Sequence, residues 1–93
     1  MMRFLHVRLG FMAGDFVEVN CNAPANVMLL GGADMLNYQN GGPFRYYGYQ
    51  AHQFPVRLAP PQPGTWHLVI DTRGLGEYQV QATYTIGRAG GFG

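Results

Sequence analysis

The stretch that most constrains the fold of this chain is residues 63–71, which reads PGTWHLVID. Its Pro-Gly pair is typical of a type II turn, because proline presets φ at one central position and glycine accepts a positive φ at the next. The residues after the turn are mostly β-branched, aromatic or aliphatic, which predicts a strand. Strand side chains alternate between faces, which puts Trp66, Leu68 and Ile70 on one face and His67, Val69 and Asp71 on the other. We therefore expect a core strand of a small all-β domain with one polar-decorated face.

The other strand-like segments are short and closely spaced. They lie at residues 4–9, 16–21, 25–30, 44–49, 54–58 and 78–86. Residues 33–40 lack a period of two and fit a short helix or an irregular loop. The pattern predicts an all-β, single-domain antiparallel β-sandwich or jelly-roll-like fold of six to seven short strands. We place the domain at residues 1–87 and expect a flexible Gly-rich tail at residues 88–93.

The composition excludes several classes of enzyme, because the chain contains no lysine and no serine. A P-loop lysine, a Schiff-base lysine and a serine nucleophile are therefore all ruled out. Charged residues make up 12% of the chain and the formal net charge is +1, which is too little to steer nucleic acid or an anionic membrane to the protein. The same shortage of charge favours self-association or docking onto a partner. We expect no enzyme activity and no nucleic-acid partner.

The cellular location is predicted from cysteine usage and from the apolar runs. Cys21 is the only cysteine, so no disulfide can form within the chain, whereas small secreted domains are usually disulfide-bonded. His6 and Arg8 interrupt the first apolar stretch, and no run is long enough to span a membrane. These features predict a cytoplasmic protein with no membrane partner. Because the chain stops at Gly93, we expect no attached effector domain.

Histidines are the main candidates for catalysis or metal binding. His67 and Asp71 lie four residues apart on one strand, a separation of roughly 13 Å that is too long for a hydrogen-bonded dyad. His67 could instead meet a group on a neighbouring strand, such as His6. A metal site needs three or four convergent ligands, and the histidines lie on different elements with no spacing that preorganises them. We therefore expect neither a metal nor another cofactor, and we place Cys21 in the core.

Residues 44–54 are the strongest candidate for a binding site. They hold five aromatic residues together with Arg45 and His52. Tyrosine and arginine are enriched at binding hot spots, because they combine a large contact area with a hydrogen-bonding tip. The alternative is that some of these rings close the core while others cover a loop. We assign ligand or partner binding to Asn37, Tyr38, Arg45, Tyr46, Tyr47, Tyr49, His52, His67 and Asp71.

Several of these segments resemble a known bacterial family, domain of unknown function eighteen-eighty-three. The matching segments are residues 4–6, 14–15, 17–19, 26–27, 37–38, 45–48, 55–58 and 64–71. The resemblance covers about residues 3–86, and its Tyr-Tyr-Gly and Gly-x-Trp-His-x-Val-Ile-Asp elements are the most specific. It implies a compact β-sandwich. It also implies a sensing or recognition role, because members of that family occur alone and ahead of TIR effector domains.

Two functions from different classes fit these observations. The first is a non-catalytic recognition or interaction module that binds an unknown protein partner or small-molecule ligand through the Tyr/Arg-rich loop. The alternative is a structural β protein that assembles into an oligomer or filament, favoured by the low charge and by residues 28–30, which we expect on an edge strand. A small enzyme built on His6, His67 and Asp71 is a third and weaker hypothesis.

Overall fold

A computed structural model describes residues 4–88 and shows seven strands and one helix. The strands are β1 (Phe4–Phe11), β2 (Phe16–Cys21), β3 (Ala25–Leu30), β4 (Tyr47–Ala51), β5 (Val56–Leu58), β6 (Gly64–Asp71) and β7 (Ala82–Gly87), and the helix is α1 (Gly32–Gln39). Within residues 4–88, no helix is both long enough and apolar enough to cross a membrane. The expected Gly-rich tail lies outside the described residues, apart from Arg88.

The strands form two antiparallel sheets, which confirms the predicted β-sandwich. The four-stranded sheet has the order β1-β6-β3-β4, and the three-stranded sheet has the order β5-β2-β7. Strand β6 lies between β1 and β3, so both of its backbone edges are hydrogen-bonded. Strand β3 also lies inside its sheet, between β6 and β4. The expectation that residues 28–30 form an edge strand is therefore wrong; a continuous apolar run is equally typical of a strand buried on both faces.

The inner faces of the two sheets enclose the main hydrophobic core. From β6 this core takes Trp66, Leu68 and Ile70, the alternating set that the sequence predicts. The three-stranded sheet contributes Val17 and Val19, whose side chains are inaccessible to solvent. The Trp66 indole also donates a hydrogen bond from Nε1 to the carbonyl oxygen of Gln62, at 3.0 Å. The ring is thus packed and its one polar group is satisfied.

Helix α1 covers the outer face of the four-stranded sheet and encloses a second, smaller cluster. Met35 and Tyr38 are three residues apart, so they share one face of the helix, and both are buried. They pack against Val69 of β6 and against Met28 and Leu30 of β3. The prediction of a polar-decorated face on β6 is therefore wrong at its centre. Val69 is fully buried there, because the helix excludes water from the middle of the strand.

Three strands begin later in the chain than the sequence predicts. Residues 44–46 carry no strand pairing and β4 starts at Tyr47, and β5 starts at Val56 instead of residue 54. At Gly48, φ is +153° and an added Cβ would lie 2.0 Å from the Val27 carbonyl oxygen, so the close approach of β3 requires glycine. The last strand starts at Ala82 instead of residue 78. The Tyr78 hydroxyl donates to the Pro24 carbonyl oxygen at 2.5 Å, which holds this segment outside the sheet.

We predict that Trp66→Ala lowers the free energy of unfolding by about 3–5 kcal/mol, because it removes a large buried ring and leaves a cavity. The ring is 9% exposed. Urea denaturation monitored by far-UV circular dichroism measures the change. Leu36→Ala is the matched control, since that side chain on α1 is exposed and should change stability by no more than about 0.5 kcal/mol. Equal midpoints for the two variants would contradict the packing described for β6.

Candidate functional site

A buried carboxylate at the end of β6 organises the candidate site. Asp71 is 3% exposed, and it accepts three hydrogen bonds. The Tyr38 hydroxyl donates to Oδ2 at 2.5 Å, the Asn26 side-chain amide donates to Oδ1 at 2.7 Å, and the Arg73 backbone N–H donates to Oδ1 at 3.2 Å. A carboxylate this deeply buried is costly unless it is hydrogen-bonded in this way. Asp71 thereby holds the helix, strand β3 and the turn after β6 together through hydrogen bonds.

Tyr38 is the donor that links the helix to this carboxylate. Its ring is held edge-on by Phe4 and by Phe44, with centroid separations of 5.1 Å in both cases. The Arg73 guanidinium lies 5.3 Å from the centroid of the same ring, within the range of a cation–π contact. Burial raises the pKa of Tyr38 well above its usual value, the hydrogen bond to Asp71 and the Asp71 charge raise it further, and the Arg73 charge opposes them. The hydroxyl therefore remains protonated and acts as a donor.

Side-chain amides extend the polar cluster across three neighbouring strands. The sheet register places Asn26 of β3 opposite Asp71 of β6 and also opposite Gln50 of β4. The Gln50 amide donates to Asn26 Oδ1 at 3.4 Å, and His52 Nε2 lies 3.3 Å from Gln50 Oε1. The second N–H of the Asn26 amide donates to the Arg73 carbonyl oxygen at 2.8 Å. Strand pairing thus fixes the positions of the polar groups before any ligand is bound.

A groove of about 250 Å³ opens above this polar cluster. Its lining combines aromatic, amide and charged side chains: Asn26, Met28, Phe44, Tyr46, Tyr49, Gln50, Asp71 and Arg73. Tyr46 and Tyr49 are 50% and 52% exposed, and the ring centroids of Tyr46 and Phe44 are 5.7 Å apart. A shallower depression along residues 49–55 adjoins the groove through Tyr49. The groove therefore has aromatic walls and a hydrogen-bonding floor, which is the usual chemistry of a binding site.

Four of the nine predicted site residues meet at this groove. Tyr46, Tyr49 and Asp71 line it, and Tyr38 lies beneath it in contact with Asp71. His52 does not line the groove, but its Nε2 contacts the side-chain oxygen of Gln50, which does.

The other predicted residues lie elsewhere. The Arg45 backbone N–H donates to Asp34 Oδ1 at 2.9 Å, and its side chain is exposed. Tyr47 packs edge-on against Trp66, with centroids 5.6 Å apart. Asn37 is exposed on α1, where its carbonyl oxygen accepts the Gly42 N–H at 2.8 Å. These residues are not brought to the groove by the fold.

Sequence reasoning missed five residues of the groove. They are Asn26, Met28, Phe44, Gln50 and Arg73. One signal was available for Asn26, since it is the single polar residue in the apolar run 25–30 and a polar group in a buried strand needs a partner. Gln50 and Arg73 carry no such signal, because only the register of the sheet and the turn after β6 bring them to Asn26 and Asp71.

His67 forms a separate cluster at the opposite end of β6. Its Nδ1 lies 2.7 Å from Nε2 of His6 on β1, and the two rings are stacked with centroids 5.0 Å apart. A nitrogen–nitrogen contact of this kind requires one donor and one acceptor, so one ring donates an N–H to an unprotonated nitrogen of the other ring. Partial burial lowers the pKa of His67, and the neighbouring His6 and Arg8 lower it further. Among residues 4–88 no group of three or more histidine, cysteine or acidic side chains is arranged to hold a metal ion.

Comparison with known proteins identifies the family of this chain. Residues 2–86 match the family described as Domain of unknown function (DUF1883). The chain belongs to this family. The match extends over both sheets, the helix and every described residue of the groove. No curated protein and no solved structure matches the chain.

We predict that Tyr38→Phe lowers the free energy of unfolding by about 1–3 kcal/mol, because it leaves the buried carboxylate of Asp71 with one donor fewer. Chemical denaturation compares this variant with wild type. Tyr84→Phe is the matched control, since Tyr84 is an exposed tyrosine on β7 and the substitution should have almost no effect. A stability loss below about 0.5 kcal/mol for Tyr38→Phe would mean that the hydroxyl does not support the site.

We predict that the protein loses stability as the pH falls below 6.5, and that His67 causes part of this loss. The folded pKa of His67 is lower than its ordinary value of 6.5, so just below that pH the unfolded chain binds more protons than the folded one. The contribution is complete above 6.5 and is lost as the pH falls toward the folded pKa. Urea denaturation between pH 8 and pH 5 measures the slope. His67→Gln should flatten it, and equal slopes for wild type and His67→Gln would count against the histidine pair.

Proposed function

We propose that the protein is a non-catalytic recognition module that binds a small ligand, or a short segment of a protein partner, in the groove above Asp71. The observation that carries this proposal is the pairing of exposed aromatic walls with a polar floor that the sheet holds in place. Phe44 and Tyr46 offer stacking surfaces, and Gln50 presents an amide beside them. Because strand register positions the floor, little side-chain order has to be gained when a ligand binds.

The chemistry of the groove supports binding better than catalysis. Asp71 already accepts three hydrogen bonds, including one from a tyrosine hydroxyl whose pKa is raised, so its oxygens are occupied in holding the fold. The thiol of Cys21 packs against the main core, away from the groove lining, and burial raises its pKa. A raised pKa lowers the thiolate fraction and with it the nucleophilicity. Together with the lack of lysine and serine in the chain, these features favour recognition.

The resemblance to a bacterial family with TIR effector partners adds a biological setting to the proposal. A groove of this size suits a sensor that reports the presence of a ligand to an effector. A cytoplasmic location belongs to the same proposal and stays a prediction. Self-assembly into an oligomer or filament also stays a prediction. It would proceed through the outer strands of the two sheets, β1, β4, β5 and β7.

We predict that ligands of the groove lose at least about tenfold in affinity, equivalent to about 1.4 kcal/mol, when Tyr46 is replaced by alanine. The probes are a panel of N-acetylated, amidated tripeptides and methyl glycosides, titrated into ¹⁵N-labelled protein. Binding should shift the backbone amide signals of Gln50, Asp71 and Arg73, which lie at the groove.

Tyr84→Ala is the control for this titration, because it removes an exposed tyrosine from the other sheet and should leave the affinity unchanged. Circular dichroism confirms that each variant is folded. If no probe shifts these signals, or if Tyr46→Ala binds as tightly as wild type, the groove is not a recognition site.

A further inference from the structure

Strand β4 is an edge of the four-stranded sheet and is exposed along most of its length. It pairs with β3 on one side, and no strand among residues 4–88 pairs with its other side. Tyr47, Tyr49 and Gln50 are exposed, as are Arg45 and Tyr46 in the extended approach to the strand. An edge of this kind presents backbone N–H and C=O groups that can hydrogen-bond another chain.

The features that usually block edge pairing are absent from β4 itself. Proteins protect edge strands with charged side chains, proline or a covering element, and the sequence of β4, YGYQA, contains neither charge nor proline. The opposite edge of the same sheet, β1, carries His6 and Arg8. In the other sheet, the edge strand β5 carries Arg57 and directly follows Pro55. Strand β7 is also uncharged, but the groove adjoins β4.

We propose that β4 receives an extended peptide segment of a partner protein as an added strand, and that one side chain of this segment enters the groove. This inference rests on the proposed function, because it assigns the recognition groove to a peptide. Gln50 connects the two parts of the surface, since it belongs to the edge strand and also lines the groove. In strand addition, main-chain hydrogen bonds supply affinity while pockets beside the edge select alternate side chains.

The groove favours an uncharged aromatic side chain from the added strand. Its volume of about 250 Å³ is enough for one large side chain. Phe44 and Tyr46 supply rings that can stack offset or edge-on against it. The two charged groups of the lining, Asp71 and Arg73, have opposite signs, so the groove has no net charge to attract an acidic or a basic residue.

A second copy of this chain that pairs in the register centred on Tyr49 is a poorer occupant of the same edge. In a two-fold antiparallel pair of β4 strands centred on Tyr49, the residue facing Gln50 is Gly48 of the other copy. Glycine has no side chain to fill the groove beside Gln50. A partner peptide has no such restriction, because any residue can occupy that position.

The test begins with selection of random linear twelve-residue peptides displayed on phage against the full chain. One selected peptide is synthesised in three forms: unmodified, N-methylated at odd positions and N-methylated at even positions. Alternate N–H groups of a strand point to the same side, so one methylated form should lose at least about tenfold in affinity and the other should lose little. Selected sequences should share an aromatic residue, and Tyr46→Ala should weaken binding whereas Tyr84→Ala should not.

Other outcomes separate failure of this inference from failure of the proposed function. Equal losses for both methylated forms, with Tyr46→Ala still weakening binding, would overturn strand addition and keep groove recognition. Peptide binding that is insensitive to Tyr46→Ala would overturn both. A selection that yields no peptide would also overturn strand addition. In that case, sedimentation velocity showing a dimer that Tyr49→Lys dissociates would assign the edge to a second copy, and the small-probe titration would decide on groove recognition.

Discussion

The carboxylate of Asp71 is the group on which the outer layer of the protein depends. Its desolvation must be offset, and the three donors come from helix α1, strand β3 and the turn after β6. Each donor fixes a different part of the site. Tyr38 fixes the helix, Asn26 fixes the side-chain amides on β3 and β4, and the Arg73 N–H fixes the turn after β6. The position of the Arg73 guanidinium over the Tyr38 ring follows from the last of these contacts. A single buried charge thus determines where the floor and one rim of the groove lie.

The inner sandwich could be predicted from the sequence because its strands have clear patterns. Val17 and Val19 alternate with polar residues on β2, and Trp66, Leu68 and Ile70 alternate on β6, as the inner core requires. Two of the predicted strands, β2 and β3, have the expected bounds. The helix was ambiguous, since residues 33–40 lack a period of two, which fits a helix or a loop, and α1 has no side-chain hydrogen bond at its N-terminus. Tertiary burial of Met35 and Tyr38 on the sheet decides its conformation.

The candidate site was less predictable, because its members are joined by register and not by sequence spacing. The aromatic residues of 44–54 could be proposed as a binding surface from composition alone. Which of them would reach the groove depends on the start of β4 at Tyr47 and on Gly48 at the close approach to β3. Tyr47 packs on Trp66 while Tyr46, just before the strand, lines the groove, so neighbouring tyrosines in one motif have different roles. His67 and Asp71 lie on one face of β6, but Val69, buried beneath the helix, separates them into two clusters.

The residues that stabilise the sandwich differ from the residues that line the groove. The main core lies between the sheets, and none of the residues that line the groove belongs to its buried set. Tyr46 is half exposed, so a change at this position alters the recognition surface without opening a cavity in the sandwich. Asp71 and Asn26 differ from Tyr46, because their hydrogen bonds hold the helix and the floor together. Variation in ligand preference within this fold is therefore expected at the aromatic walls, while the Tyr38–Asp71–Asn26 contacts set the limits within which those walls can change.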